Sequence, residues 1–392
     1  MRELFIAGAH VTPFGKYHGR NLRSLAAEGV AGVLADAGAT AGDVDAVFFA
    51  NAAEGYLTGQ ECIRGQVALQ DTGLLGKPIV NVENACASGS TAFHLACAAV
   101  ASGSADVALA IGAEKLSNPD RARTFGVFTT GWDVEKRGGP DSSAGQSAFM
   151  NIYADMATAY MRRTGATAED FARVSVKAHQ FGALNPNAQF RDPVTVDQVL
   201  ASRTISGPLT LLMCSPVGDG ASGLIVASAA GLGRLSGDPV RVLSSVLRSA
   251  RVGGDESAVV RAARAAYRHA GLTPADVDVV EIHDGAAPGE LIVSEELGIA
   301  EAGNGPALLR SGATSLGGRI PINPSGGLLS RGHPIGATGC AQLAELTDQL
   351  RGRCGERQVP GANVALAENG GGFLGDGPAA AVVTLLGRAS RS

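Results

Sequence analysis

Apolar and β-branched residues alternate along this chain in two rhythms, short extended runs and longer runs repeating every three or four positions. Residues 4–9 read as a strand. Leu22 to Ala37 reads as a helix, with Leu22, Leu25, Ala26, Val30, Val33, Leu34 and Ala37 on one face. The alternation continues through Val44 to Ala50, a 61–74 segment, Ile79 to Val82, a helix opened by Cys86, and Val107 to Ile111. Such a series predicts an α/β protein with helices on the faces of a sheet. From about Asn118 to Ile205 the pattern changes. Charge and long polar side chains increase, the only tryptophan (Trp132) appears, and Ala168 to Leu184 is the clearest helical run. This reads as an insertion of helix and loop over the core. The α/β rhythm returns at Ser215 to Ala221, in a strand from Gly223 to Ala227, and at Val240 to Leu247.

The chain also repeats itself. Residues 37–51 (AGATAGDVDAVFFAN) align without gaps on 270–284 (AGLTPADVDVVEIHD), seven of fifteen positions being identical at an offset of 233. Cys86-x-x-Gly89-x-Thr91 matches His333-x-x-Gly336-x-Thr338, and Val107 to Ala110 matches Val364 to Ala367, at offsets of 247 and 257. Two copies of one βα unit packed about a pseudo-twofold axis bring equivalent helix N-termini together. Cys86 and His333 are therefore expected to face each other across one site.

Position singles out Cys86 among the six cysteines. It follows the strand Ile79 to Val82 and stands at the first turn of a helix whose apolar face is Ala92, Phe93, Ala96, Cys97 and Val100. Free backbone N–H groups there favour a thiolate, so a substantial thiolate fraction is expected. Small neighbours (Ala85, Ala87, Ser88, Gly89, Ser90) leave room for a bulky thioester and backbone donors for its oxygen. Cys62, Cys97, Cys214, Cys340 and Cys354 take the ordinary reading of buried structural cysteines. Among the seven histidines, His283 and His333 are raised above that reading by their places in the repeat, while His10, His18, His94, His179 and His269 are not.

Composition narrows the classes. With 45% hydrophobic and 18% charged residues, 392 residues suit a large globular core of two or three domains. A net charge of −5 argues against a nucleic-acid surface. No signal peptide is expected at the N-terminus, and the apolar stretch around Ala221 to Leu232, taken as the longest, falls short of a membrane span. The absence of C-x-x-C spacing points away from zinc and from a disulfide framework, and towards a reducing, cytoplasmic setting.

Taken together, these residues resemble the thiolase superfamily. Asn84-Ala85-Cys86-Ala87-Ser88-Gly89 is similar to its nucleophile motif and Gly332-His333-Pro334 to its Gly-His-Pro motif. His283-Asp284-Gly285 resembles the His-Asp-Cys-Phe loop of sterol-carrier-protein type thiolases, and Glu368-Asn369-Gly370-Gly371-Gly372 the C-terminal Cys-x-Gly motif. The resemblance implies a five-layered αβαβα fold of two duplicated halves, 1–236 and 237–392, with a loop-domain insertion at about 117–206. It implies acyl-CoA chemistry through an acyl-Cys86 intermediate, with His333, His283 and Glu368 catalytic, Gly372 and Asn369 at the substrate oxyanion, no metal, and coenzyme A as substrate rather than bound cofactor. Thiolytic cleavage of a 3-ketoacyl-CoA is the expected reaction. It further implies a homodimer or a heteromer of thiolase-like subunits, and a small zinc-ribbon/OB-fold partner protein.

Two positions depart from that pattern. The family's second catalytic cysteine is replaced by Glu368 in one motif and by Gly285 in the other. Glu368 is then either an acid/base raised by burial or a structural group that caps the glycine turn or pairs with Arg331. Other readings stay open: a ketosynthase, C-acetyltransferase or retro-aldol lyase on the same fold, or a non-catalytic subunit of a thiolase-like complex. A dinucleotide site at Gly370 to Gly372 is disfavoured because a second strand, Ala379 to Leu385, follows where a phosphate-binding helix is needed.

Overall fold

The computed structural model describes residues 2–135, 148–251, 253, 254, 256–375 and 377–389. Part of the expected insertion, 136–147, lies outside the described residues. Among the described residues eleven strands occur in chain order: β1 (Leu4–Val11), β2 (Ala46–Ala50), β3 (Ile79–Val82), β4 (Val107–Lys115), β5 (Thr204–Ser206), β6 (Leu209–Thr210), β7 (Asp219–Ser228), β8 (Val240–Ser249), β9 (Val279–Glu281), β10 (Val364–Leu374) and β11 (Gly377–Arg388). Nine of them form one sheet in the order β3-β2-β4-β7-β1-β8-β11-β10-β9, while β5 and β6 pair separately.

That order is a mirrored repeat. In one half β2 runs parallel to β4, β4 antiparallel to β7, and β7 antiparallel to β1. In the other, β9 runs parallel to β10, β10 antiparallel to β11, and β11 antiparallel to β8. The halves join edge to edge, Phe5 opposite Arg241 and Ile6 opposite Val240. The duplication read from sequence is repeated in backbone chemistry. Gly38 and Gly271 end their helices in left-handed conformation, which a residue without Cβ adopts freely. Thr40 with Asp43 and Thr273 with Asp276 form matching capping boxes. Asp45 then accepts the N–H groups of Asp106 and Val107, as Asp278 accepts those of Asn363 and Val364.

Three helical layers complete the stack. The Leu22–Ala37 helix, capped by Asn21, covers the first half-sheet with Leu22, Leu25, Ala26, Val30 and Val33 buried. The Ala258–Ala270 helix covers the second. Between the half-sheets lie the helices Ser88–Ser102 and Ile335–Arg351. Fifteen of the seventeen residues of the latter are buried, as a helix enclosed on all sides requires. The two central helices cross where Gly89 meets Gly339. A Cβ on Gly89 would lie 2.8 Å from the Gly336 carbonyl oxygen, and one on Gly339 would lie 2.3 Å from Ser90 N, so a side chain at either position would force the helices apart. The result is the αβαβα stack that the resemblance implies.

Several boundaries move. β4 runs four residues past the expected Ile111, bringing Glu114 inside the fold, and β7 begins at Asp219 rather than Gly223. Gly370 to Gly372 lie within β10 and lead into its antiparallel partner β11, so they form no glycine turn and no phosphate-binding loop. Ala85–Ser102 is longer than the Ala221–Leu232 run and apolar enough by length and composition to cross a membrane, but it is packed between the half-sheets. Cys97, Cys340 and Cys354 are buried as expected. Cys62, in the loop before the Arg64–Ala68 helix, is exposed, and Cys214 is half-buried. The insertion contributes the helices Ala148–Thr164 and Ala168–Ala183, whose apolar faces pack on Ala286, Ala287, Leu291 and Leu329 and roof the site.

Candidate active site

Cys86 follows a strained turn. Ala85 has φ +47°, a left-handed conformation that costs a residue with a Cβ about 1 kcal/mol or more. Ser88 fixes the turn: its hydroxyl accepts the Asn84 N–H at 2.9 Å and donates to the Ala85 carbonyl at 2.6 Å. Cys86 thus stands in the short 3-10 turn that runs into the Ser88–Ser102 helix.

His333 arrives from the other half, just before the Ile335–Arg351 helix. Its Nε2 lies 3.2 Å from Cys86 Sγ. Its Nδ1 lies 2.7 Å from Thr338 Oγ1, and the Thr338 hydroxyl donates to the Pro334 carbonyl at 3.0 Å. With its proton engaged there, Thr338 accepts from Nδ1–H, which leaves Nε2 as a free base facing the thiol. The loop is held from below by Arg331, which is 1% exposed and donates to Glu281 at 3.2 Å and Ser325 at 3.1 Å.

His283 completes a tight triangle. Its ring centre is 5.2 Å from that of His333, edge to face, and its Nε2 is buried with no partner among the described residues. Sγ and one nitrogen of each imidazole all lie within 4.8 Å of one another. Three donors so placed can converge on one thioester oxygen or carbon, and could equally hold a soft divalent cation.

Burial sets the charges. It pushes the Cys86 thiol up to about 12, reinforced by the negative fields of Glu114 and Glu83 and opposed by the backbone N–H groups of Cys86 and Gly372. It pulls His283 down to about 4 and His333 well below the ordinary imidazole range. The resting pair is therefore neutral thiol and neutral imidazole. This corrects the expectation of a substantial thiolate: desolvation of the charge outweighs the helix terminus.

Glu368, 1% exposed, accepts the His283 backbone N–H at 3.1 Å. Burial raises it to about 8 despite that bond. It does not pair with Arg331, whose carboxylate partner is Glu281. Asn369 departs from its expected place. Alternation along β10 turns it from the face of Glu368 towards the Ser88–Ser102 helix, where its Oδ1 accepts from Ser90 at 2.7 Å. Gly372 presents its backbone N–H to Cys86 Sγ.

Sequence reasoning missed two groups. Glu114 accepts N–H groups from Asn51, Ala52, Ala53 and Gly336, tying the start of the Ile335–Arg351 helix to the end of β2. Burial raises it to about 7. An acid closing an otherwise unbroken apolar strand was its only sequence signal. The second is Tyr153, from the insertion, which stands over Gly285: a Cβ there would lie 2.5 Å from the tyrosine oxygen.

A cavity of about 770 Å³ opens onto this group, lined by Cys86, His283, His333 and Tyr153 at its base, by Phe125, Phe128 and Phe149 along its wall, and by Lys16, Arg121 and Arg203. A pocket of about 80 Å³ lies beside it, bounded by Cys86, Tyr153, His283, Glu368 and Gly372. His179, read as structural, borders the large cavity but stacks on Phe190, with Nδ1 3.1 Å from the Asp192 carbonyl.

A paired-half αβαβα fold with a cysteine and two histidines meeting at the starts of its central helices defines the class, and comparison with known proteins agrees. Residues 4–230 match the model of the thiolase N-terminal domain, and 247–388 that of the thiolase C-terminal domain-like family. The chain belongs to the thiolase superfamily. It is 39% identical over 382 residues to an acetyl-CoA acetyltransferase of Methanothermobacter thermautotrophicus, covering 96% of this chain and 98% of that protein. It is 36% identical over 406 residues to human sterol carrier protein 2, covering 98% of this chain and 72% of that protein. Among solved structures, the Ltp2-ChsH2(DUF35) aldolase superposes with a TM-score of 0.80 at 26% identity, covering 100% and 99% of the two chains.

Proposed function

We propose that this protein is an acyl-CoA C-acyltransferase that cleaves a 3-ketoacyl-CoA thiolytically through an acyl-Cys86 intermediate. The observation that carries the reading is the 3.2 Å contact between Cys86 Sγ and an imidazole nitrogen left free by the Thr338 bond. Sγ attacks the 3-keto carbon as its proton passes to His333 Nε2. The bond between carbons 2 and 3 breaks, its electron pair forming the enolate of the shortened thioester, and a proton is delivered to carbon 2. CoA thiol then attacks the acyl-cysteine, taking the acyl group and returning Sγ. His283 Nε2–H supplies an enolate contact, in the tautomer that donates there, and the Gly372 N–H supports the oxyanion. Glu368, protonated at neutral pH, borders the small pocket and accepts the His283 backbone N–H, so it acts on the C–C step through the placing of His283. Lys16, Arg121 and Arg203 suit the phosphates of a CoA entering the large cavity.

The 1–236 and 237–392 halves, a homodimer or heteromer of thiolase-like subunits, and a cytoplasmic setting with all six cysteines free belong to the same reading. A small zinc-ribbon/OB-fold partner is supported by the DUF35 component named in the aldolase structure. A retro-aldol lyase is the second reading, on the strength of that same likeness. Incubating purified protein with CoA and a panel of 3-ketoacyl-CoAs, and separately with 3-hydroxyacyl-CoAs, tests the reading: CoA-dependent formation of two thioesters from the 3-keto substrates supports it, and CoA-independent cleavage of the 3-hydroxy substrates to one thioester and an aldehyde or ketone replaces it with the lyase.

A further inference from the structure

Breaking a C–C bond beside a thioester leaves a carbanion that must take up a proton. Few groups can deliver it. Cys86 and His333 are engaged with each other's proton, and His283 is neutral with its acidity set by burial. Glu368 borders the 80 Å³ pocket but not the 770 Å³ cavity. Tyr153 borders both.

Tyr153 is supplied by the Ala148–Thr164 helix, and its ring stands edge-on to Phe373 with centres 5.5 Å apart. A Cβ on Gly285 would lie 2.5 Å from its hydroxyl oxygen and 3.2 Å from His283 Cε1, so the hydroxyl occupies the space that a side chain at 285 would fill, beside His283. That hydroxyl makes no hydrogen bond among the described residues. Buried phenols usually have a partner, and a cavity-facing hydroxyl without one is open to a ligand atom.

We propose that the Tyr153 hydroxyl exchanges the proton with the α-carbon of the CoA thioester, filling the place left by the absent side chain at Gly285. The inference rests on the C–C cleavage reading above. During cleavage the O–H bond breaks, its hydrogen passes as a proton to carbon 2, and the enolate's electron pair forms the new C–H bond. The phenolate left behind takes the proton of the incoming CoA thiol as that sulfur attacks acyl-Cys86, so the cycle closes without another reactant. Burial holds the phenol well above its ordinary range. It is thus protonated at neutral pH, and its phenolate is a strong base.

Deuterium incorporation at the α-carbon of acetyl-CoA in D2O tests this, read beside Cys86 acylation by intact mass. Wild-type protein is expected to incorporate deuterium, and Tyr153→Phe to do so at least about a hundredfold more slowly. Far-ultraviolet circular dichroism and the urea midpoint of Tyr153→Phe should match wild type, which shows that the variant is folded. Tyr153→Phe/Gly285→Cys should recover exchange, because a thiol then stands where the hydroxyl stood; a merely structural tyrosine gives no such rescue. Exchange at the wild-type rate in Tyr153→Phe, or wild-type protein that exchanges nothing, overturns the proposal. Intact mass separates the two readings: a wild-type adduct on Cys86 together with exchange that survives in Tyr153→Phe overturns the Tyr153 assignment alone, whereas Tyr153-dependent exchange with no adduct on Cys86 overturns acyl-Cys86 alone.

Discussion

His333 Nε2 lies 3.2 Å from Cys86 Sγ although the two residues are 247 positions apart, each delivered to the start of an equivalent helix in one half of a duplicated fold. With the thiol raised to about 12 and the imidazole lowered by burial, the pair gains reactivity by moving a proton inside the site, not by holding a resting charge.

Resting enzyme should accordingly show no Cys86 thiolate absorbance near neutral pH. Ultraviolet difference spectra of wild type against Cys86→Ala between pH 6 and 8 check this. A thiolate step in that window would mean that the helix terminus outweighs burial.

His333→Ala should slow acylation by about a hundredfold or more, and His283→Ala should mainly slow the C–C step, each donor being worth on the order of 3 kcal/mol in the transition state. Single-turnover measurement of the two steps separates them. Wild-type rates of both steps in either variant would remove that role.

Thr338→Val keeps the volume but removes the acceptor that fixes the Nδ1–H tautomer. Acylation should fall by roughly tenfold, with little change in substrate affinity. A shift in KM alone would assign Thr338 to packing.

Two buried acids set a pH signature. Glu368 is raised from 4.5 to about 8 and Glu114 from 4.5 to about 7, so the folded state keeps protons that the unfolded chain has released. Their contribution to stability is fully present below about pH 4.5 and is lost as pH rises through 7 and 8, by at most about 1.4 kcal/mol per pH unit for each group. The urea midpoint should fall from pH 5.5 to pH 8, and Glu368→Gln should flatten that fall. The same variant should lower C–C cleavage at least about tenfold while sparing acylation by a simple thioester. Unchanged cleavage would leave Glu368 a structural role, holding the His283 backbone.

What the sequence carried was local or repeated. Cys86 and His333 were legible because each sits at a predicted helix start, and the repeat set them opposite each other. The five layers were expected from the resemblance to the thiolase superfamily, while the duplication itself gave two equivalent halves. Glu114 was hidden because its partners come from 51–53 and 336, which only folding brings together. Asn369 was misplaced because a motif names residues without naming the face of the strand, and β10 turns it away from Glu368. The charge of Cys86 was misjudged because position along a helix says nothing of how much protein lies over it. Tyr153 lies in the insertion, outside both repeats, so no pattern in the halves could point to it.

The most direct measurement is the intact mass of the protein after incubation with acyl-CoA. One acyl group should be gained per chain, mapped to Cys86, absent from Cys86→Ala and discharged by added CoA. An adduct on another residue, or none with any thioester that the enzyme turns over, would contradict the acyl-Cys86 mechanism.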